Sequence, residues 1–307
     1  MHTAYITHSV FLKHDMGPSH PESPARIRAI ENQLIASNLL NRLIHYEAPA
    51  VTKTQLTRVH TSQYIERIFK LSPKTGLVEL DGDTSMNPYT LDAALHAAGA
   101  AIKGVDLVMA GKVKNVFCNV RPPGHHAHRS NSAGFCIFNN VAVAAAHAIE
   151  HHGLTRVAIA DFDVHHGDGT EDIFHDDPRV MLCSTFQHPF YPHSGATSGN
   201  DHMINVPLAA GATSTEFQAA VNKYWLPALE RFKPQLLLIS AGFDAHEQDL
   251  IGGLQLKESD YFWITEMLKK VANKYAKDRI VSMLEGGYTL DALGRSVAAH
   301  VKSLSSL

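Results

Sequence analysis

Histidine and aspartate crowd the middle of this 307-residue chain, where 12 of the 21 histidines fall between His125 and His202. Histidine is the side chain that most readily ligates transition metals or moves protons near neutral pH, so the crowding proposes metal or acid/base chemistry. In Asp161-Phe-Asp163-Val-His165 the polar residues are two apart, and in extended chain all three face one point. Asp163 and His165, joined by the distant carboxylate of Asp244, make a set of two aspartates and one histidine. Such a set leaves coordination positions for water and substrate, as a catalytic zinc site requires. Ligation this rich in oxygen also suits Fe(II) or Mn(II). A bare Asp-x-Asp-x-His could instead be a loop of solvated or capping aspartates; the neighbouring clusters argue for the site.

His125-His126 follows Pro122-Pro123-Gly124, a rigid turn that fixes how the two imidazoles are presented. A buried imidazole needs a partner on its second nitrogen, and Asp161 and Asp168 are the available carboxylates. Two His–Asp dyads result. One could deprotonate a metal-bound water while the other stays positive to stabilise developing negative charge. Tyr288, presented by the flexible pair Gly286-Gly287, offers a phenol that can donate to a carbonyl oxygen becoming an oxyanion. These parts specify hydrolysis of a carbonyl compound by metal-activated water, with no Ser or Cys nucleophile. No GxxxxGK[ST] or strand-linked GxGxxG supports nucleotide chemistry.

Parallel strands must bring these residues together. Short aliphatic runs at Val116–Val120, Val157–Ala160, Val180–Cys183, Leu236–Ile239 and Ile280–Leu284 suit strands buried on both faces. Helix-like stretches lie among them at Thr90–Ala110, Asn139–His151, Ser214–Arg231 and Leu256–Lys277, with Thr90 and Ser214 as N-caps. The alternation predicts an α/β fold with a central, mostly parallel sheet and helices on both faces. Residues 1–307 read as a single domain, since no Pro/Gly/Ser-rich linker divides them; Asp81–Asn87 and Ser194–Gly199 read as surface loops. In an open parallel sheet ligands bind beyond the carboxyl ends of the strands. The His, Asp and Tyr clusters follow four of the runs directly.

Composition removes several function classes. Hydrophobic residues at 45% and charged residues at 19% exclude a disordered or coiled-coil chain. A formal charge of −3 gives no drive toward nucleic acid or anionic membrane. No apolar run reaches 18 residues, and Met1–Phe11 lacks a basic n-region before an apolar core. Cys118, Cys136 and Cys183 are odd in number and far apart, which suggests neither a disulfide framework nor a zinc finger and fits a reducing compartment. The expectation is a cytoplasmic enzyme without nucleic-acid or membrane partners. Nothing in the sequence signals its oligomeric state.

Arg121-Pro-Pro-Gly-His-His-Ala127, Asp161-Phe-Asp-Val-His-His-Gly-Asp-Gly169, Gly242-Phe-Asp-Ala245 and Leu284-Glu-Gly-Gly-Tyr288 resemble the motifs of zinc-dependent histone deacetylases, closest to the class II and bacterial deacetylase-like amidohydrolase branch. His20-Pro-Glu-Ser-Pro-Ala-Arg26 matches as well. The resemblance, in consistent order from about Tyr5 to Tyr288, implies the arginase–deacetylase α/β fold. It also implies removal of an acetyl or related acyl group from acetyl-lysine, a peptide or a small acetylated amine. Under it Asp163, His165 and Asp244 are the Zn2+ ligands, with Fe2+ possible. His126 is general base and acid, His125 its electrostatic partner, Asp161 orients His125, Asp168 orients His126, and Tyr288 polarises the scissile carbonyl. Phe135 and Tyr191 wall the acyl-lysine tunnel, with Gly134 in its wall, and Arg26 lines an internal cavity behind the metal. Aromatic walls suit the apolar four-carbon lysine stem. The resemblance also implies structural K+ near Asp161, Asp163, His165, Ser184 and Thr185, and a second K+ near Phe174 and Val180.

The family's Asp-Pro-Leu-Gly-Gly appears here as Asp249-Leu-Ile-Gly-Gly253, so the rim loop lacks its proline. Ile251 stands where acetylpolyamine-specific relatives often carry a glutamate that attracts a second amine. An aliphatic residue cannot pair with ammonium, which lowers the acetylpolyamine alternative unless Glu22, Glu247 or Asp83 supplies the charge. Asp83 could instead hold the backbone of a peptide-like substrate. A non-catalytic acyl-amine binder is disfavoured by intact His126 and Tyr288. A dimanganese ureohydrolase would need bridging carboxylates that neither aspartate motif contains.

Overall fold

Runs of aliphatic residues without polar alternation can fold as strands only where helices cover both faces of the sheet. In the computed structural model, which describes residues 2–307, the strands are β1 (Thr3–Thr7), β2 (Ile44–Glu47), β3 (Val78–Glu79), β4 (Ser85–Met86), β5 (Asn115–Cys118), β6 (Val157–Asp161), β7 (Val180–Gln187), β8 (Met203–Leu208), β9 (Leu236–Ala241) and β10 (Ile280–Leu284). Eight of them form one sheet in the order β2-β1-β5-β10-β9-β6-β7-β8. Every neighbouring pair in it is parallel, so the expected mostly parallel sheet is entirely so. The five aliphatic runs are β5, β6, β7, β9 and β10, and each is buried along its whole length. Strands β5, β10, β9 and β6 are consecutive neighbours. Their carboxyl ends therefore carry the four polar clusters to one edge.

The helices are α1 (Ala25–Ala36), α2 (Lys53–Leu56), α3 (Ser62–Leu71), α4 (Thr90–Met109), α5 (Asn140–Glu150), α6 (Asp168–Phe174), α7 (Ser214–Ala220), α8 (Leu226–Phe232), α9 (Glu258–Tyr275) and α10 (Leu290–Ser305). On one side α4 packs on α5 and on β1, β5 and β10, while α5 reaches β6 and β9. On the other, α10 packs between α1 and α9. One continuous cluster of buried apolar residues extends through both layers.

Three local expectations are corrected. Thr90 is the first helical residue, not the cap, and its hydroxyl accepts the Asn87 amide at 2.9 Å. Thr213 caps α7 in place of Ser214, because Glu216 lies three residues on and completes a reciprocal capping box. The continuous helix expected over Ser214–Arg231 is interrupted by a π turn at Val221–Trp225, just before Pro227, whose missing N–H cannot serve the regular ladder. The Asp81–Asn87 segment also contains β4, which pairs antiparallel with β3.

Candidate active site

β6 ends at Asp161, and the chain bends through Asp163, Val164 and His165, so the extended segment expected from the sequence does not hold; turns made by the aspartates place the side chains instead. The Asp163 amide donates to Asp161 Oδ1 (3.1 Å), and the His165 amide donates to Asp163 Oδ1 (2.9 Å). The Val164 amide donates to Asp244 Oδ1 (2.9 Å), tying the β6 and β9 ends together. Asp163, His165 and Asp244 are buried, and each offers a ligand atom within 4.8 Å of the others. His165 Nδ1 lies 3.0 Å from Asp163 Oδ1 and 3.3 Å from Asp244 Oδ2. The two carboxylates approach closely because their neighbours are glycines. A Cβ on Gly286 would stand 2.0 Å from Asp244 Oδ2, and one on Gly242 would stand 2.0 Å from Asp163 Oδ2.

The electrostatics of this trio favour a cation. Burial opposes protonation of His165, yet hydrogen bonds and charge from Asp163 and Asp244 push its pKa up to about 10. Burial and the neighbouring Asp163 charge raise Asp244 to about 7. Asp244 Oδ2 is buried with no donor well aligned on it, His165 Nδ1 standing off at 3.3 Å. A buried carboxylate oxygen in that position is the kind that a metal ion satisfies. The residues fit a divalent cation.

Both expected dyads are present. His125 Nδ1 is 3.0 Å from Asp161 Oδ2, and His126 Nδ1 is 2.6 Å from Asp168 Oδ1. A proton on each Nδ1 would point at its carboxylate and leave Nε2 as the nitrogen without that partner. The environments separate the two imidazoles. Burial works against a charge on His125, but Asp161 and Asp163 outweigh it and hold the pKa well above the ordinary histidine range. Burial and the charge of His125 lower His126 to about 4, against the opposing pull of Asp168. These opposite shifts favour a charge on His125 and a neutral ring on His126, with the ring centres 4.1 Å apart. Sequence reasoning missed Glu285. Its Oε2 accepts the Gly124 and His125 amides at 2.7 and 3.1 Å, fixing the turn that carries both histidines, and burial raises its pKa to about 7. Its only sequence signal is a carboxylate directly at the end of a buried strand.

A pocket of about 160 Å³ leads to these groups, and Asp83, Gly134, Phe135, Tyr191, Ile251 and Tyr288 all line it. Phe135 meets Tyr288 edge to face at 5.8 Å, and Tyr191 meets His126 at 5.1 Å. Gly134 has φ +53°, and a Cβ there would come within 2.4 Å of the His126 ring. Phe190 and Pro123 also line the pocket and were not anticipated; Phe190 stacks on His165 at 5.4 Å. Arg26 is buried behind Tyr288, its guanidinium 4.9 Å from the ring centre and donating to the Gly287 and Glu285 carbonyls. Glu22 is not a rim residue. It is fully buried and ion-paired with Arg26, four residues on, and with Arg121, which only the fold brings to it. Glu247 lies 3.7 Å from Lys257, leaving Asp83 as the acid that lines the pocket. Leu250, the residue before Ile251, is 91% exposed.

Of the remaining expected residues, Ser184 pairs in register with Asp161 and accepts or donates to His166 Nδ1 at 3.1 Å, and Thr185 follows it on β7. Phe174 ends α6 and Val180 begins β7. All three cysteines are free and buried. Among the described residues no helix is long and apolar enough to cross a membrane.

An all-parallel sheet whose central strand ends gather an Asp-His-Asp donor set, two His–Asp dyads and a pocket-lining tyrosine defines a hydrolase of the α/β amidohydrolase class. The chain belongs to the histone deacetylase family: the family's "Histone deacetylase domain" matches residues 20–304. It is 38% identical to a histone deacetylase-like amidohydrolase of Pseudomonas aeruginosa, over 88% of this chain and 73% of the relative. It is 35% identical to a probable deacetylase of Archaeoglobus fulgidus, over 95% of this chain and 82% of the relative. The crystal structure of the HDA15 HD domain superposes with a TM-score of 0.94 at 34% identity, covering 99% of this chain and 88% of that one.

Proposed function

We propose that this chain, acting as one deacetylase unit over residues 1–307, hydrolyses the amide of acetyl-lysine or a similar N-acyl amine to acetate and the free amine. The observation that carries the reading is the convergence of Asp163, His165 and Asp244 with the two unlike imidazoles beneath a narrow aromatic pocket. Asp163, His165 and Asp244 would hold Zn2+, or Fe2+, and a divalent ion there polarises a carbonyl and acidifies water.

The protein groups supply the rest. The amine stem lies between Phe135, Tyr191 and Phe190, whose faces exclude water from it. His126, neutral, takes a proton from the attacking water at Nε2. His125, cationic, offsets the negative charge that grows on the acyl oxygen, and the Tyr288 hydroxyl donates a hydrogen bond to that oxygen. When the C–N bond breaks, the proton held on His126 goes to the departing nitrogen. Asp161 and Asp168 keep the imidazoles in the required tautomers. Structural K+ beside Asp161 and Ser184, and a second near Phe174 and Val180, belongs to the same proposal.

An acetylpolyamine is the second reading, and Asp83 favours it. This carboxylate lines the pocket, and burial with the adjacent Asp81 raises its pKa, so a cationic amine would be a welcome partner. Ile251 on the same pocket offers no charge. Kinetics with metal-defined enzyme on an acetyl-lysine peptide, acetylputrescine, acetylcadaverine and trifluoroacetyl-lysine decide between them. Full turnover by metal-free enzyme would defeat the whole proposal.

A further inference from the structure

At the opposite edge of the sheet, three histidines and an aspartate gather without any part in the chemistry above. Helix α5 starts at the catalytic edge, where its cap Asn139 donates to the His125 and Ala127 carbonyls. Twelve residues of helix at about 1.5 Å each carry the chain roughly 18 Å away from there. At that far end lie His147, His151 and His152, facing Asp106 of α4.

The arrangement follows from helix geometry. His151 keeps helical dihedrals (φ −96°, ψ −39°), so it sits one turn beyond His147 on the same face, and their rings stack at 4.8 Å. His152 turns its ring nearly perpendicular to both. Nε2 of His147 and Nε2 of His152 each lie 2.8 Å from the same oxygen, Asp106 Oδ1. The ligand atoms of all four residues lie within 4.8 Å of one another. His147 is buried, Asp106 and His152 are partly buried, and His151 is exposed, so the cluster is open to solvent on one side.

We propose that Asp106, His147, His151 and His152 form a second metal site, for a divalent transition-metal cation such as Zn2+, that staples α4 to α5. Three imidazoles and one carboxylate suit Zn, Ni or Cu and disfavour Mg or Ca, which take oxygen donors. A tetrahedral zinc with bonds of about 2.0 Å holds its donors roughly 3.3 Å apart, so small rotamer shifts close the cluster. In that state the ion replaces the two protons that His147 and His152 direct at Asp106.

One competing contact is part of the proposal. Arg58 Nη1 stands 3.0 Å from His147 Nδ1. An ion on Nε2 leaves the proton on Nδ1, facing a guanidinium. Arg58 therefore has to swing away, and it borders a cleft that also contains Glu150, Asp172 and Asp176, which offer carboxylates instead. Metal affinity at this site is opposed by Arg58.

Holoenzyme carrying one zinc per chain is titrated with Zn2+ by calorimetry, and metal per chain is measured by elemental analysis after dialysis. The expected result is saturable one-to-one uptake of a second ion with a rise in Tm. His151→Ala/His152→Ala should lose that uptake while keeping full deacetylase activity, which shows that the variant is folded. Arg58→Ala should bind the second ion more tightly than wild type. A wild type that stays at one ion per chain throughout the titration overturns the proposal. So does a second ion that persists in the double histidine variant, because it then sits elsewhere, for instance at the catalytic centre.

Discussion

The carboxylate of Asp249 receives the backbone amide of Tyr288 at 2.7 Å and that of Thr289 at 3.0 Å, while its other oxygen receives the Ile251 amide at 3.0 Å. One side chain thus couples the rim loop to the tyrosine that faces the pocket. Asp249→Asn keeps the size but replaces one acceptor with a donor aimed at an amide. Steady-state kinetics should show kcat reduced on the order of 10- to 100-fold, the usual cost of losing a partner that orients a reacting group, with KM changed far less. An unchanged kcat would mean that Tyr288 is held by other contacts.

Gly286 sets the spacing of the two carboxylates. Its amide donates to Asp163 Oδ2 at 2.9 Å, and an added Cβ would meet Asp244 Oδ2 at 2.0 Å and Asp163 Oδ2 at 2.6 Å. Gly286→Ala must push one carboxylate aside or shift the end of β10. The expected outcome is loss of bound metal in proportion to lost activity, with a stability cost of about 1–3 kcal/mol from overpacking. Elemental analysis beside thermal melts checks it. Retention of stoichiometric metal would show that the donor set tolerates a wider spacing.

The protonation split between the two imidazoles predicts a pH profile. His126 is lowered to about 4 by burial and then by the charge of His125. A general base works only when neutral, so activity is lost as pH falls through this pKa. The acid limb of kcat/KM should therefore lie well below the ordinary histidine value of about 6.5. His125→Gln removes the repelling cation. His126 then becomes easier to protonate, and the acid limb moves to higher pH while kcat falls. A limb that stays in place would show that His125 exerts no such field.

How far the sequence disclosed this site depended on distance along the chain. Spacing of two after a buried strand was enough to read Asp161, Asp163 and His165, and the double proline turn was enough to read His125-His126. Those relationships are local. Phe190 escaped notice because it lies in an irregular turn, where no periodicity says which of two adjacent aromatics faces His165. Glu22 stood among three acids that could have supplied a charge at the rim, because sequence displays charge but not depth; its partner Arg121 is 99 residues away. The same blindness hid the cluster at the end of α5, since Asp106 precedes His152 by 46 residues and only the packing of α4 on α5 joins them.

Acid stability has a separate origin in His300. This residue is fully buried between the Thr265 hydroxyl (2.6 Å) and the Ser282 hydroxyl (2.8 Å), and burial lowers its pKa to about 3. The folded state thus binds fewer protons than the unfolded state, whose histidine titrates near 6.5. Its contribution is complete above about pH 6.5 and is lost as pH falls from there toward 3, a span worth on the order of 5 kcal/mol. His300→Gln should be less stable at pH 7, because the two hydroxyls lose well-placed partners. Its Tm should also fall less steeply between pH 7 and pH 5 than that of wild type. Parallel curves would assign the acid sensitivity to other groups.

Under the proposed function, the choice of substrate is expected to turn on Ile251 and Asp83, which line the same pocket. The preference for acetyl-lysine over an acetylpolyamine rests on the aliphatic residue at position 251, and the acetylpolyamine alternative rests on Asp83 alone. Ile251→Glu adds a second carboxylate beside the first. A cationic chain then gains a charge partner at the mouth, whereas a neutral peptide backbone meets a desolvated carboxylate with nothing to pair it. The ratio of kcat/KM for acetylputrescine over an acetyl-lysine peptide should rise by roughly tenfold or more, since one tenfold step needs only about 1.4 kcal/mol. Asp83→Asn should move that ratio in the opposite direction if Asp83 already recruits an amine in the wild-type enzyme. A ratio indifferent to both changes would locate selectivity deeper in the tunnel, at Phe135, Phe190 and Tyr191.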